Sequence, residues 1–191
     1  MAINRLTKNG YGQLELNQVA FRRDGRIEAQ CALDATAFAS VPAENGMILC
    51  VDNVTRTIKL PTAANIAKYP LALNYTAEHM YDERAMGLKD FKLNIADGFY
   101  PRLGYLAVGD KFTTNTVCYD TTTFADDDAL KTAYTNVGTT ALYAVPYEDG
   151  YWKIVNAKPG SGLYCAVVTG TGAGSMPDGQ YAFKLQVMAT H

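Results

Sequence analysis

The sequence predicts a mainly β protein with two or three short helices, a β-rich α+β fold whose C-terminal half forms an antiparallel barrel or sandwich. Three observations carry this. From Gly104 onward, runs rich in β-branched and aromatic residues alternate with turn chemistry: GYLAV, KFTTNTVCY, ALYAVPY, YWKIV, LYCAVVT and QYAFKLQVM. The first half repeats the pattern in MILCV at 47–51 and in the alternating TRTIKL at 55–60. Only three segments show helical spacing and caps.

Taken in order, residues 1–12 are polar, with Asn9-Gly10 and Gly12 as turn formers, and read as an extended arm. Such an arm needs a surface to lie on, and a second subunit is one candidate. Gln13 to Phe21 alternates roughly apolar and polar, and Asp24-Gly25 signals a hairpin before Arg26-Ile27-Glu28. Met47 to Val51 is an apolar strand, Asp52-Asn53 turns it, and Ile58 and Leu60 share a face of the next. Ala63 to Tyr69 reads as a short helix capped by Thr62 and stopped by Pro70, with LALNY a strand beyond it. Thr76 to Leu88 is a second helix, with Thr76 as cap, Glu78 in its first turn and Gly87 near its end. A third begins at Asp127 or Asp128, with Leu130, Ala133, Tyr134 and Val137 at helical spacing.

The composition shifts around Gly98–Pro101. The chain therefore divides into an arm at 1–12, a β-rich region with one helix at 13–97, and a β barrel or sandwich with one helix at 98–191.

At 191 residues, with 48% hydrophobic and 19% charged residues, the chain is an ordered globular protein with a low charge fraction. A chain of this size buries roughly 70% of its unfolded surface, so it needs no disulfide or metal staple. Thirteen tyrosines against one tryptophan suit strands and contact surfaces alike. The net charge of -2 lacks the basic stripe of a nucleic-acid binder. Arg5, Lys8, Arg22, Arg23 and Arg26 make the first stretch basic, and Asp120 with Asp126–Asp128 makes a later one acidic. These read as solvated faces, or as patches that meet between neighbouring molecules.

Cys31, Cys50, Cys118 and Cys165 are widely spaced and form no C-x-x-C pair, so buried free thiols are expected. The N-terminus lacks an apolar signal region, and no run reaches membrane-spanning length. A reducing cytoplasm is the expected site of synthesis.

No constellation for catalysis emerges. His79 and the terminal His191 are the only histidines, and neither G-x-S-x-G nor H-E-x-x-H accompanies them. His79 therefore reads as a helix-surface residue, since a general base needs partners. A hydrolase built on His79 or Cys118 would lack a nameable partner group. Gly170, Gly172 and Gly174 in GTGAGS have the wrong spacing for a dinucleotide loop and run towards a strand, so they read as a hairpin loop and contact tip. Asp126-Asp127-Asp128 does not space its oxygens as a calcium loop does, and helix capping accounts for it better. Tyr143, Tyr147, Tyr151 and Trp152 surround an EDG turn, where cross-strand packing is preferred to a sugar platform. No catalytic, cofactor-binding or metal-binding residue is assigned, and no cofactor is expected.

The leader MAINRLTKNGYGQLELN, the segment YPRLGYLAVGDKFTTNTVCYD and the closing glycine loop with QYAFKLQV give the whole chain a style that resembles bacteriophage virion structural proteins of the capsid auxiliary or decoration type. The resemblance implies a non-enzymatic oligomeric protein in the virion, assembled in the host cytoplasm. It would stabilise the shell by contact with the major capsid protein and with copies of itself, without direct nucleic-acid or membrane binding. It transfers no site residue. Tail-tube and head-fibre-base roles are variants of it. A carbohydrate-binding or adhesion module that takes surface glycans is the alternative reading, motivated by the tyrosines and the glycine loop.

Overall fold

A computed structural model describes residues 2–76, 92–93 (backbone only), 100–168, 176 and 179–190. The expected helix from Thr76 to Leu88, the loop at 170–174, His79 and His191 lie outside the described residues, Thr76 itself excepted.

The fold is mainly β, with 36% of the described residues in strands and 12% in helix, and its two large sheets are mixed and sandwich-like, with no closed barrel among the described residues. The chain runs β1 (Ile3–Arg5), β2 (Leu14–Gln18), α1 (Ala20–Asp24), β3 (Ile27–Glu28), β4 (Ala32–Leu33), β5 (Ala43–Glu44), β6 (Ile48–Asp52), β7 (Thr57–Lys59), α2 (Ala63–Ile66) and β8 (Leu71–Asn74). It continues with β9 (Lys92–Leu93), β10 (Leu103–Gly104), β11 (Lys111–Thr114), β12 (Val117–Asp120), α3 (Asp127–Thr135), β13 (Tyr143–Pro146), β14 (Trp152–Val155), β15 (Tyr164–Val168) and β16 (Phe183–Ala189).

The larger sheet has eight strands in the order β1-β12-β14-β13-β15-β16-β11-β2. The second has six, β3-β10-β8-β6-β7-β4, and β5 pairs with β9 separately. The antiparallel pairing expected of the C-terminal half has one exception there, and the first half, for which none was expected, has another. β12 and β14 run parallel, as do β4 and β7. The sheets also cross the expected boundary near residue 98. The eight-stranded sheet takes β1 and β2 from the start of the chain, and the six-stranded sheet takes β10 from beyond it.

KFTTNTVCY, read as one strand, is two. Asn115-Thr116 separates β11 from β12, which stand seventh and second in the sheet. In a flat sheet five strand spacings would hold them about 24 Å apart. Three chain steps from Thr114 to Val117 cover at most about 11 Å. The sheet must therefore fold back on itself, with Asn115-Thr116 at the corner where one extended run changes layers.

Two cores result. One fills the curled sheet, with Leu6, Phe112, Tyr119, Trp152, Phe183 and Leu185 packed against Leu130 and Tyr134 of α3. The other lies beneath the six-stranded sheet, where Met47, Leu49, Val51 and Ile58 meet Cys118 and Tyr151. All four residues of β12 are buried because its two faces serve different cores.

Local chemistry sets the remaining elements. The hairpin expected at Asp24-Gly25 is instead the end of α1, with Gly25 at φ 69° as a left-handed cap and Arg26 N–H donating to the Phe21 carbonyl at 3.1 Å. Phe21 anchors that turn in the core, and its ring lies where a Cβ on Gly104 would stand, 2.4 Å away. Thr62 caps α2, accepting from Asn65 N–H at 3.3 Å. The cap of α3 is Asp126, which accepts from Ala129 N–H at 2.8 Å, so Asp127 and Asp128 lie inside the first turn.

Candidate functional site

The leader, read as an extended arm that needs a surface to lie on, is docked on its own chain. β1 adds to the edge of the eight-stranded sheet with Ile3, Asn4 and Arg5 opposite Asp120, Tyr119 and Cys118. Leu6 N–H donates to the Val117 carbonyl at 3.0 Å, and the Leu6 side chain enters the core.

Beyond Leu6 the leader is held largely by side chains of the body. Asp127 accepts from Thr7 N–H at 2.9 Å. Gln180 brackets Asn9, accepting from its N–H at 2.8 Å and donating to its carbonyl at 3.1 Å. Glu44 accepts from Gly12 N–H at 2.6 Å, and Asn115 accepts from Gln13 N–H at 2.7 Å. The Thr114 hydroxyl donates to the Gln13 carbonyl at 2.7 Å. A segment without a ladder partner still needs its backbone groups satisfied, and these side chains satisfy them.

The charged centre of this site is Lys8, Glu44 and Tyr151. Lys8 pairs with Glu44, donates to the Tyr151 hydroxyl at 2.8 Å, and lies 4.8 Å from the ring centroid. The Tyr151 hydroxyl lies 3.3 Å from both Glu44 oxygens. Arg5 stacks its guanidinium 4.4 Å from the same ring and pairs with Asp149 at 3.0 Å. Burial, then the Glu44 charge, pushes the Tyr151 phenol well above its ordinary range, so it stays a neutral donor. For Arg5, burial works downward, but Tyr151 and Asp149 outweigh it and raise its pKa.

Sequence and turn chemistry put these groups in place. The EDG turn closes through Gly150 at φ 88°, and Gly150 accepts from Ile48 N–H at 2.8 Å, which fixes Tyr151 against β6. A Cβ on Gly12 would stand 2.4 Å from the Asn45 carbonyl and 2.5 Å from the Thr116 hydroxyl, so only glycine lets the leader approach. Trp152 completes the seam, its indole N–H donating to the Gly46 carbonyl at 2.9 Å. Two open grooves follow the leader. One of 720 Å³ is bounded by Asn9, Lys131, Thr132, Gln180 and Tyr181, and one of 640 Å³ by Asn4, Thr7, Tyr119 and Asp126.

The other sequence-derived candidates scatter. Tyr151 and Trp152 are buried, so the sugar platform proposed for them has no open ring face. Tyr143 packs edge to face at 6.0 Å against Tyr164 of β15, outside the EDG hairpin. All four cysteines are free and buried. Burial pushes Cys31 up to about 11 and Cys50 to about 12, and raises Cys118 and Cys165 well above the ordinary thiol value. Among the described residues no three of His, Cys, Asp and Glu gather as metal ligands, and no helix is long and apolar enough to cross a membrane. Lys8 counted only as surface charge in the sequence, and Glu44, Asn115 and Gln180 carried no signal. Their partners lie 32 to 171 residues away.

No protein family matches this chain, and neither a curated protein nor a solved structure matches it.

Proposed function

We propose that this protein is a non-enzymatic structural component of a bacteriophage virion, an auxiliary or cement protein that binds the assembled capsid shell. The observation that carries the reading is the work its polar and thiol side chains do. Glu44, Asp126, Asp127 and Asp110 each accept a backbone N–H and fix the path of the chain. Burial keeps the thiols protonated, and they act as small hydrophobes. A chain that uses its ionisable groups to stiffen itself suits a role in contact and assembly. Its resemblance in style to decoration proteins supplies the setting.

The mechanism is additive contact. The partners are the major capsid protein and further copies of this chain. A stable interface buries about 1,600 Å², and binding only the assembled shell stabilises that state by mass action. Val54 at the β6–β7 turn, Val108 before β11 and Met188 on β16 are exposed apolar residues that suit such contacts.

Quantitative mass spectrometry of purified particles tests the reading. The chain is expected at a fixed ratio to the major capsid protein, retained through a density gradient. Its absence from washed particles sinks the proposal.

A further inference from the structure

The leader has the form of a peptide lying in a receptor groove. β1 is a terminal edge strand, so its departure breaks no other strand's pairing. Residues 7–13 are fixed by Asp127, Gln180, Glu44, Asn115 and Thr114 of the body. Leu6 fills an apolar socket, and Arg5 and Lys8 clasp the Tyr151 ring. β2, which follows the leader, sits at the opposite edge of the same sheet and keeps its own pairing with β11 when β1 leaves. Asn9-Gly10, with Gly10 at φ 77°, supplies a turn between the two where the chain can redirect.

We infer that residues 2–8 exchange between two copies of this chain, each leader docking in the other's groove beside β12, Glu44 and Tyr151. A reciprocal two-fold exchange remakes every docking contact and leaves neither groove empty. The cost is the entropy of joining two molecules against that of a tether. Exchange therefore overtakes self-docking when the local concentration of chains exceeds the effective concentration of the tethered leader, about millimolar for a short link. The inference concerns the purified chain and stands whether or not it sits on a shell.

The register supplies the test. Leu6 donates to Val117 and Thr121 donates to Ala2, which makes Arg5 and Cys118 a non-hydrogen-bonded antiparallel pair, the kind with closer side chains. A cysteine at position 5 is thus placed to meet the Cys118 thiol, which is otherwise buried. A tagged R5C/C118A chain can donate a leader cysteine and offers no Cys118, whereas the wild-type chain offers Cys118 and has no leader cysteine. The two are mixed in a glutathione redox buffer across a concentration series, and the products are mapped by mass spectrometry.

The expected product is a heterodimer linked from position 5 to Cys118, rising with concentration and approaching half of the chains near about 1 mM. The single R5C variant forms the intrachain bond at low concentration. No heterodimer at any concentration, while R5C closes on itself, overturns the inference. Sedimentation of the wild-type chain is the second measurement. A strict monomer up to the millimolar range overturns the inference even where R5C fails to close.

Discussion

Lys8 donates to the hydroxyl of Tyr151 at 2.8 Å across 143 residues of sequence, and both meet Glu44. The ammonium and the carboxylate side chains are only 12% and 11% exposed, so neither is well solvated in place. Removing the charge of one member weakens the hold on the other, which makes the pair testable. Glu44→Gln is expected to cost about 2–4 kcal/mol in urea unfolding, because it removes the carboxylate charge that faces Lys8 and weakens the acceptor of Gly12 N–H. The double variant K8M/E44L is expected to be more stable than E44L alone, since it leaves no buried cation. Equal stability of those two variants would show that Lys8 escapes to solvent at no cost.

Close approach at Gly12 gives a second expectation. A methyl group there meets the Asn45 carbonyl, the Thr116 hydroxyl and Glu44 Cβ, all within 2.9 Å. Gly12→Ala should therefore destabilise by about 1–3 kcal/mol through overpacking. Gly160 has open space around its Cβ position. Gly160→Ala should be neutral or stabilising by about 0.4–1 kcal/mol through the unfolded chain. Equal effects at the two positions, read from thermal melts, would remove the steric account.

Much of the fold was legible in sequence because its signals are local. MILCV, LALN and YWKIV became strands, and Thr62 became a cap, through patterns within a few residues. Where reading failed, a distant partner decided. KFTTNTVCY has the alternation of one strand, yet Thr114 and Thr116 turn their hydroxyls to the Gln13 and Asn45 carbonyls and the run breaks between layers. The surface that the leader needs was not legible because its polar residues find their partners at Asp127 and Gln180. No spacing within MAINRLTKNGYG encodes that docking. Asp24-Gly25 is ambiguous by nature, since glycine at positive φ serves a hairpin and a helix cap equally.

Thiol chemistry offers a readout of leader docking. Cys118 is buried beneath the pairing of β1 with β12 and beside Tyr151. Its labelling by a disulfide reagent at pH 8 is expected to be slow in the wild type, because both access and ionisation are suppressed. Loosening the leader with Glu44→Gln should accelerate Cys118 at least tenfold more than Cys165, which lies in the other core and is reached only through the global opening that the variant also favours. Parallel acceleration of both thiols would indicate global unfolding in place of local release.

The carboxylate that holds Thr7 should make leader docking sensitive to acid. Burial alone would raise the Asp127 pKa, but hydrogen bonds from Thr7 and from the Tyr119 hydroxyl outweigh it and hold the group below its ordinary value. A folded-state pKa below the unfolded value of about 3.9 means that the stabilisation is fully present above that pH. It is lost as pH falls through the folded value. Asp127→Asn removes the ionisation and keeps one acceptor oxygen. The stability gap between wild type and Asp127→Asn is therefore expected to be constant from pH 7 to about 5 and to close on titration towards pH 2. The protection of the Thr7 amide against exchange, taken relative to its intrinsic rate at each pH, should fall in the wild type as the gap closes. A gap that persists undiminished at pH 2 would mean that the Asp127 charge contributes nothing to holding the leader.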